Sequence, residues 1–390
     1  MAFLGMVNYG KLEEMERPKA WRQGIYDQYP NATPLCNLIY RTGKEKTSDA
    51  EFFWYERLFP TRLMTVATAP GSGIAGDTDT IVVGTAEAYN CHKGSLLLAQ
   101  STMERLLVLA DSVDGITLSV KRGIGATGPV ADVAIGTTLK VYSNAIAQGA
   151  DIGTSINFAP TKHQGACQIF RNPADVSRTL NQTLLRTGNK FKDAQKNALL
   201  QHELDKDGAG FFGVRSEDLT ATPGPRYTTD GLLSVVTTNS YDASAGLTLK
   251  GWNAFCADVM QYGSDEKLFV VGRDLYGAIE DMARMYTFQW EQMSKQDTFG
   301  MDLKVLRQRN GRLAIIENKA FNEDPLFKSW GFVIDPDAIY QRIVADTQWL
   351  PNREGNGEDR VAGEYLAEVG FEIQQEYRHG VVKNCTKFLG

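Results

Sequence analysis

Gly123-Ile-Gly125-Ala-Thr-Gly128 is the stretch whose residue types and spacing come closest to a chemical motif. It matches G-x-G-x-x-G and directly follows a strand-like segment, ITLSVKR, the order a dinucleotide-binding turn needs. In such a site the glycines let the backbone approach a pyrophosphate, and the N-terminus of the next helix receives its charge. Here the following residues are PVADVAIGTTLKVY, in which Pro129 and several β-branched side chains lead into another strand. No acidic residue ends a second parallel strand at the expected distance, so the segment reads as a turn, with a nucleotide-binding enzyme as the remote alternative.

The other reactive side chains are scattered. His92, His163, His202 and His379 stand at no metal-ligand spacing from one another or from a Cys or carboxylate pair. Asp205-Lys206-Asp207-Gly208 begins like a calcium loop, but the later carboxylate ligands are missing. Cys36, Cys91, Cys167, Cys256 and Cys385 are odd in number and contain no C-x-x-C pair, which reads as reduced, core-filling thiols in a cytoplasmic setting. Neither G-x-S-x-G nor H-E-x-x-H occurs. The sequence therefore offers no catalytic, cofactor-binding or metal-binding residues, and a non-enzymatic protein is expected.

Composition narrows the class. A chain of 390 residues with 43% hydrophobic and 23% charged residues can bury a sizeable core. A net charge of -6 argues against a surface that grips nucleic acid, because wrapping phosphates needs clustered Lys and Arg. No signal-peptide core opens the chain, and no apolar run reaches membrane-spanning length.

The longest expected element is a helix over Asn189–Phe212, about 36 Å long at the α-helical rise. Asn189 can cap its first free N–H groups. Phe191, Ala194, Ala198, Ala209 and Phe212 fall along one side, with Leu200, Leu204 and Phe211 nearly opposite. One stripe suits a sheet of the same subunit, and the other suits an arm or loop from this subunit or a neighbour. His202 falls on the Phe191 side, where a satisfied, partly buried imidazole is expected.

Around that helix the chain reads in blocks. Residues 1–50 hold Pro18, Pro30 and Pro34 and aromatic anchors without a periodic element, which describes an arm lying on something else. From Glu51 to Gln168 the pattern is β. EFFWYERLF is a strand or edge segment, VATAPGSGIAGDTDT a loop, and four short strands follow in KGSLLLAQ, ERLLVLADSVDG, ITLSVKRG and TTLKVYSNA, with a hairpin tip at Asp114-Gly115. After the helix, Leu232–Thr238 reads as a strand, Leu249–Tyr262 as a helix, Lys267–Val271 as a strand and Asp274–Met285 as a helix. Leu303–Leu306, Leu313–Ile316 and Gly331–Ile334 read as strands, completing an α/β layer with a mixed sheet. In the tail, Val369, Phe371 and Ile373 share one face of a long strand expected to return beside the long helix.

This order of parts resembles the major capsid proteins of tailed bacteriophages with the Hong Kong 97-type fold, in the branch whose extension loop carries a small β module. The resemblance rests on the arm NATPLCNLIY leading to EFFWYERLF and the loop VKRGIGATGPVADVAIGTTLKVYSNAIAQGAD. It continues through the junction CQIFRNPADVSRTLNQT, the helix end ELDKDGAGFFG and the close from GFVIDPDAIYQRIVADTQWL to GEYLAEVGFEIQQEYRHG.

The resemblance implies an α+β fold with an N-terminal arm (1–50), an extension loop (51–168) and a peripheral domain with a spine helix (169–227). An axial α/β domain (228–345) and returning peripheral strands (346–390) would follow. It implies a virion shell protein that assembles with itself into pentamers and hexamers in the host bacterial cytoplasm, enclosing double-stranded DNA without binding it tightly. Trp21 and Tyr26 would anchor the arm, Phe52, Trp54 and Tyr55 the loop stem, and Leu200, Leu204 and Phe211 would meet the arm or a neighbour. A chain that starts at Met1 without a long charged helical segment implies a separate scaffolding protein, with a portal and a decoration protein as further partners. The shell of a bacterial encapsulin-type nanocompartment shares the fold and is the alternative.

Overall fold

The computed structural model describes residues 33–36, 38, 43–58, 62–70, 73–150, 153–182, 189–285, 290–292, 304–308 and 311–389; Trp21 and Tyr26 lie outside them. Their contacts divide into two units. One is Tyr55–Lys162, and the other joins His163–Gly390 to the described residues up to Trp54.

Alternation builds the first unit. Strands Thr138–Asn144, Leu63–Thr68, Thr78–Val83, Thr117–Lys121, Arg105–Val108 and Ser95–Ala99 close, in that order, into a barrel. Each turns a pair of apolar side chains inward, from Met64 and Val66 to Leu139 and Val141, and closure leaves no free edge. Two of these strands, Leu63–Thr68 and Thr78–Val83, correct the expected picture, since part of each falls where a loop was expected. Their Thr and Ala residues face outward and mask the alternation of Met64 with Val66 and of Ile81 with Val83.

The Asp114-Gly115 segment does join antiparallel strands, but as a wide loop from Val108 to Thr117 and not as a two-residue turn. Asp114 organises it. Its carboxylate accepts the Ile116 and Thr117 N–H groups at 3.1 and 2.8 Å and the Thr117 hydroxyl at 2.6 Å, which hold it well below the usual carboxylate range.

The G-x-G-x-x-G segment is a turn. Gly123, Gly125 and Gly128 have φ of +57°, +78° and +108°, and the next element is the short strand Pro129–Val130, paired with Gly73–Ile74. A buried ion pair pins its start. The Arg122 side chain is 0% exposed and donates Nε and Nη2 to the two Glu104 oxygens at 3.0 and 2.8 Å, and Nη2 also reaches the Ala131 carbonyl at 2.7 Å. The Gly123 N–H donates to Glu104 Oε1 at 3.0 Å, so one carboxylate holds both the arginine and the first glycine.

The second unit contains the expected mixed sheet. Its seven strands run in the order Ser240–Asp242, Gly380–Lys383, Gly331–Ile334, Glu266–Val271, Gly311–Glu317, Lys304–Gln308 and Trp290–Gln292. Glu266–Val271 is parallel to Gly311–Glu317 and antiparallel to Gly331–Ile334. Its side chains alternate between two cores. Phe269 and Val271 pack with Trp252, Leu275 and Ile279 from the helices Leu249–Val259 and Arg273–Met285, while Leu268 and Val270 pack with Phe332, Phe321 and Phe211.

Two expectations in this unit are corrected. Leu232–Val235 is a helical turn and not a strand. Leu232, Val235 and Val236, at i, i+3 and i+4, reach the same core, as one helical face allows and the alternation of a strand does not. The tail also divides. Arg360–Ile373 joins the second sheet, but Gly380–Lys383 enters the seven-stranded one and Phe388–Leu389 pairs with Leu247–Thr248.

That second sheet has four strands in the order Lys44–Lys46, Ile339–Pro351, Arg360–Ile373 and Gln168–Ser177. Its centre is the long antiparallel pair Ile339–Pro351 and Arg360–Ile373. Gln168–Ser177 is an edge strand, which explains its polar sequence and Pro173, a residue that lacks an N–H and is tolerated only there. Across this sheet lies the helix Lys190–Phe212, capped as expected by the Asn189 side chain, which accepts the Phe191 and Lys192 N–H groups at 2.9 and 3.2 Å.

Candidate assembly surface

The expected helix stripes can now be placed. Phe191 meets Trp349 edge-on at 6.1 Å, Ala198 is buried, and Ala209 packs on Phe170, Ile343, Ala367 and Val369 of the sheet. His202 sits on this face. Its Nδ1 lies 2.8 Å from Asn172 Oδ1, its ring stands edge-on to Phe170 at 6.3 Å, and burial pulls its pKa down to about 4.

The opposite stripe separates. Leu200 is 39% exposed, Leu204 is half-buried, and Phe211 is 0% exposed. Phe211 lies against Phe321 and Phe332 of its own chain at 4.9 and 5.1 Å, and Leu35 and Leu38 belong to the same cluster. Phe211 is therefore a core residue and not a surface offered to another subunit. The partner its stripe needs is supplied, in the described residues, by this chain's own arm and sheet. Beside the same end of the helix a groove of about 530 Å³ runs along strand Gln168–Ser177, lined by Arg171, Asp205, Gly208 and Val214 among others.

The stem candidates also divide by side. Glu51–Glu56 pairs with Thr161–Ala166 as a two-stranded ribbon. Phe52 is buried, with its ring against Gly165 and Gly370 and the Arg342 guanidinium 5.9 Å from its centroid. Trp54 stacks on His163 at 5.6 Å and 20°. Phe53 and Tyr55, on the other side of the strand, are 45% and 67% exposed, and Leu58 beyond them is 53% exposed. Phe52 and Trp54 position the strand, and Phe53, Tyr55 and Leu58 are what it presents.

A hydrogen-bonded hub fixes this stem to the sheet. Arg342 pairs with Glu45 of the arm strand and with the fully buried Glu372 of the central strand while covering Phe52. Gly165→Ala would place a methyl group inside the Phe52 ring envelope. Displacing that ring is expected to cost about 1–3 kcal/mol. Limited proteolysis should then cut between Glu51 and Gly165 several-fold faster, without loss of the long helix by circular dichroism.

Nothing chemical assembles around the remaining reactive residues. All five cysteines are buried and unpaired, and no group of His, Cys, Asp and Glu among the described residues could hold a metal ion. No described helix is long and apolar enough to cross a membrane. Sequence reading missed Arg342, Asp207 and Gly210. The available signal was Gly208-Ala-Gly210, two helix-disfavouring residues kept inside the longest helix.

The model of the SU10 major capsid protein family matches residues 9–386. The chain belongs to the SU10 major capsid protein family. It is a phage shell protein and a component of the virion capsid. Solved structures agree at the level of fold. The capsid of an empty GTA particle superposes with a TM-score of 0.50 at 10% identity, covering 97% of this chain and 100% of that one. Mycobacterium phage Bobi gives 0.47 at 9% identity over 97% and 99% of the two chains. The SrpI encapsulin complex of Synechococcus elongatus gives 0.44 at 8% over 60% and 80%. No curated protein sequence matches this capsid protein.

Proposed function

We propose that this capsid protein builds its shell as pentamers and hexamers around double-stranded DNA, and that the ribbon face Phe53, Tyr55 and Leu58 seats on a neighbouring copy. The family match over residues 9–386 carries the shell role, and the exposed apolar ribbon supports the seat. In this reading residues 1–50 are the arm, the ribbon and barrel form the extension loop, the helix Lys190–Phe212 is the spine of the peripheral domain, and the seven-stranded sheet belongs to the axial domain. The role is structural. Buried Phe52 and half-buried Trp54 act as the rigid base of the seat, and Leu200, with Leu204 beside it, is a second contact. Trp21 and Tyr26 extend the arm's contacts. A net charge of -6 fits a lumen that encloses DNA without gripping it. Separate scaffolding, portal and decoration proteins complete the set of partners.

The test is negative-stain electron microscopy of the chain expressed alone and with candidate scaffolding proteins. Closed shells or rings of pure protein are expected, and uniform monomers under both conditions would overturn the reading. Tyr55→Glu with Leu58→Glu is expected to abolish rings while leaving a folded subunit by size-exclusion and circular dichroism. Intact assembly of that variant would remove the ribbon from the interface. Shells filled with a co-purifying host enzyme would move the chain to the nanocompartment class.

A further inference from the structure

The first described residues of the arm are held on the long helix by two groups on one helical face. Asp207 and Gly210 are three apart, so both point to the same side. At Gly210 a Cβ would overlap Leu35 Cδ2 and lie 3.2 Å from Phe371 Cζ, so the missing side chain makes a notch for Leu35, which is 0% exposed. One turn earlier Asp207, 3% exposed, accepts the Cys36 N–H on Oδ1 at 2.9 Å, and the Cys36 thiol reaches the Glu203 carbonyl at 3.6 Å. Buried Leu38 completes the contact.

We propose that Asp207 and Gly210 form a proton-linked latch for Leu35, Cys36 and Leu38, gripping the arm most tightly when the carboxyl carries its proton and loosening as it ionises. The ionisable groups around the latch are Cys36 on the arm, and Glu203 and Lys206 on the helix. Lys206 turns away to donate to the Thr347 hydroxyl at 2.9 Å, and Asn318 is the polar neutral neighbour. Burial drives the Asp207 carboxyl up to about 7, against the lowering effect of the arm N–H groups that it accepts.

The sign follows from where the proton binds. With the arm docked burial holds the carboxyl up to about 7, and lifting the arm admits water, which returns it toward the ordinary aspartate range of about 4. The docked state therefore holds the extra proton between those values. Docking is strongest below pH 4, weakens through the window from about 4 to 7, and levels off above it. His202, also on the helix, lies outside this account because burial holds it neutral down to about pH 4.

The latch is a property of one subunit, so it is tested apart from assembly, by hydrogen exchange at the Leu35 and Cys36 amides of unassembled full-length chain. After correction for intrinsic exchange, protection in the wild type is expected to fall about 50-fold from pH 5 to pH 7 and to level off by about pH 8, as a single linked proton requires. In Asp207→Asn, whose amide keeps an acceptor and cannot ionise, protection should stay flat over the same range. Gly210→Ala should remove protection at every pH while helix content persists. The latch is overturned if wild type and Asp207→Asn show the same pH profile, or if folded Gly210→Ala keeps full protection. Should Gly210→Ala fail to fold, the Asp207→Asn comparison decides alone.

Discussion

Replacing Lys267 with methionine is expected to destabilise the second unit by about 3–5 kcal/mol, read as a lower urea midpoint with an unchanged slope. The reason lies in what the ammonium group touches. Lys267 sits in the central strand Glu266–Val271, and its Nζ donates to the carbonyls of Val259, Tyr262 and Arg378 at 2.8, 2.9 and 2.6 Å, with Asp335 Oδ2 at 4.0 Å. The first of these carbonyls ends the helix Leu249–Val259, where unsatisfied acceptors and the helix dipole both favour a cation. Both side chains of the pair are 0% exposed, so no water replaces the lost donors. Burial pulls the lysine pKa down only to about 8, leaving it charged at neutral pH. Methionine fills the volume without donating, so the three carbonyls lose their donor, while Asp335 keeps the Ser264 and Asp337 N–H groups and Arg378. A loss under about 1 kcal/mol would show that the cluster contributes packing alone.

Glu104→Ala should disrupt the barrel by a comparable amount, about 3–5 kcal/mol, because it takes from the buried Arg122 the carboxylate that accepts both Nε and Nη2. It also strips the acceptor from the Gly123 N–H, so the turn loosens together with the strand before it. A paired replacement, Glu104→Leu with Arg122→Met, should be much milder, since removing both charges also removes the desolvation cost. Thermal unfolding of the three variants gives the answer. A double variant as damaging as the single one would mean that Arg122 holds the turn chiefly through the Ala131 carbonyl and through Asp79, 3.7 Å away.

Much of this fold is legible in the sequence where one period dominates. Trp252, Phe255, Cys256 and Val259 repeat at helical spacing, and all four are buried. Asn189 caps the helix that its position announces. Legibility fails where a residue's surroundings are set by distant chain. Phe211 follows the same pattern as Leu200, yet it is buried because Phe321, Phe332 and Leu35 arrive from remote segments. Gln168–Ser177 carries Asn172, Pro173 and Asp175 and does not read as a strand, because edge position relaxes what a central strand demands. Lys267 precedes the apolar run Leu268–Val271, where the sequence reads as a polar strand end, and its partners come from residues as far away as Arg378. The ribbon face was only half visible: EFFWYE announces aromatic anchors, but which of them turn outward depends on Gly165 and Gly370 making room for Phe52.

The edges of the four-stranded sheet bear on how copies of a crowded protein avoid the wrong polymer. One edge is the three-residue strand Lys44–Lys46, charged at every position and exposed, and the other carries Pro173, with no N–H to offer a further strand. Both are poor templates for main-chain addition. Head-to-tail addition through a free strand edge has no built-in stopping point and gives open fibres, whereas side-chain contacts set an angle that can bring a ring back on itself. By blunting both edges, this sheet steers the protein away from fibrous aggregates and leaves its association to surfaces whose geometry can terminate growth.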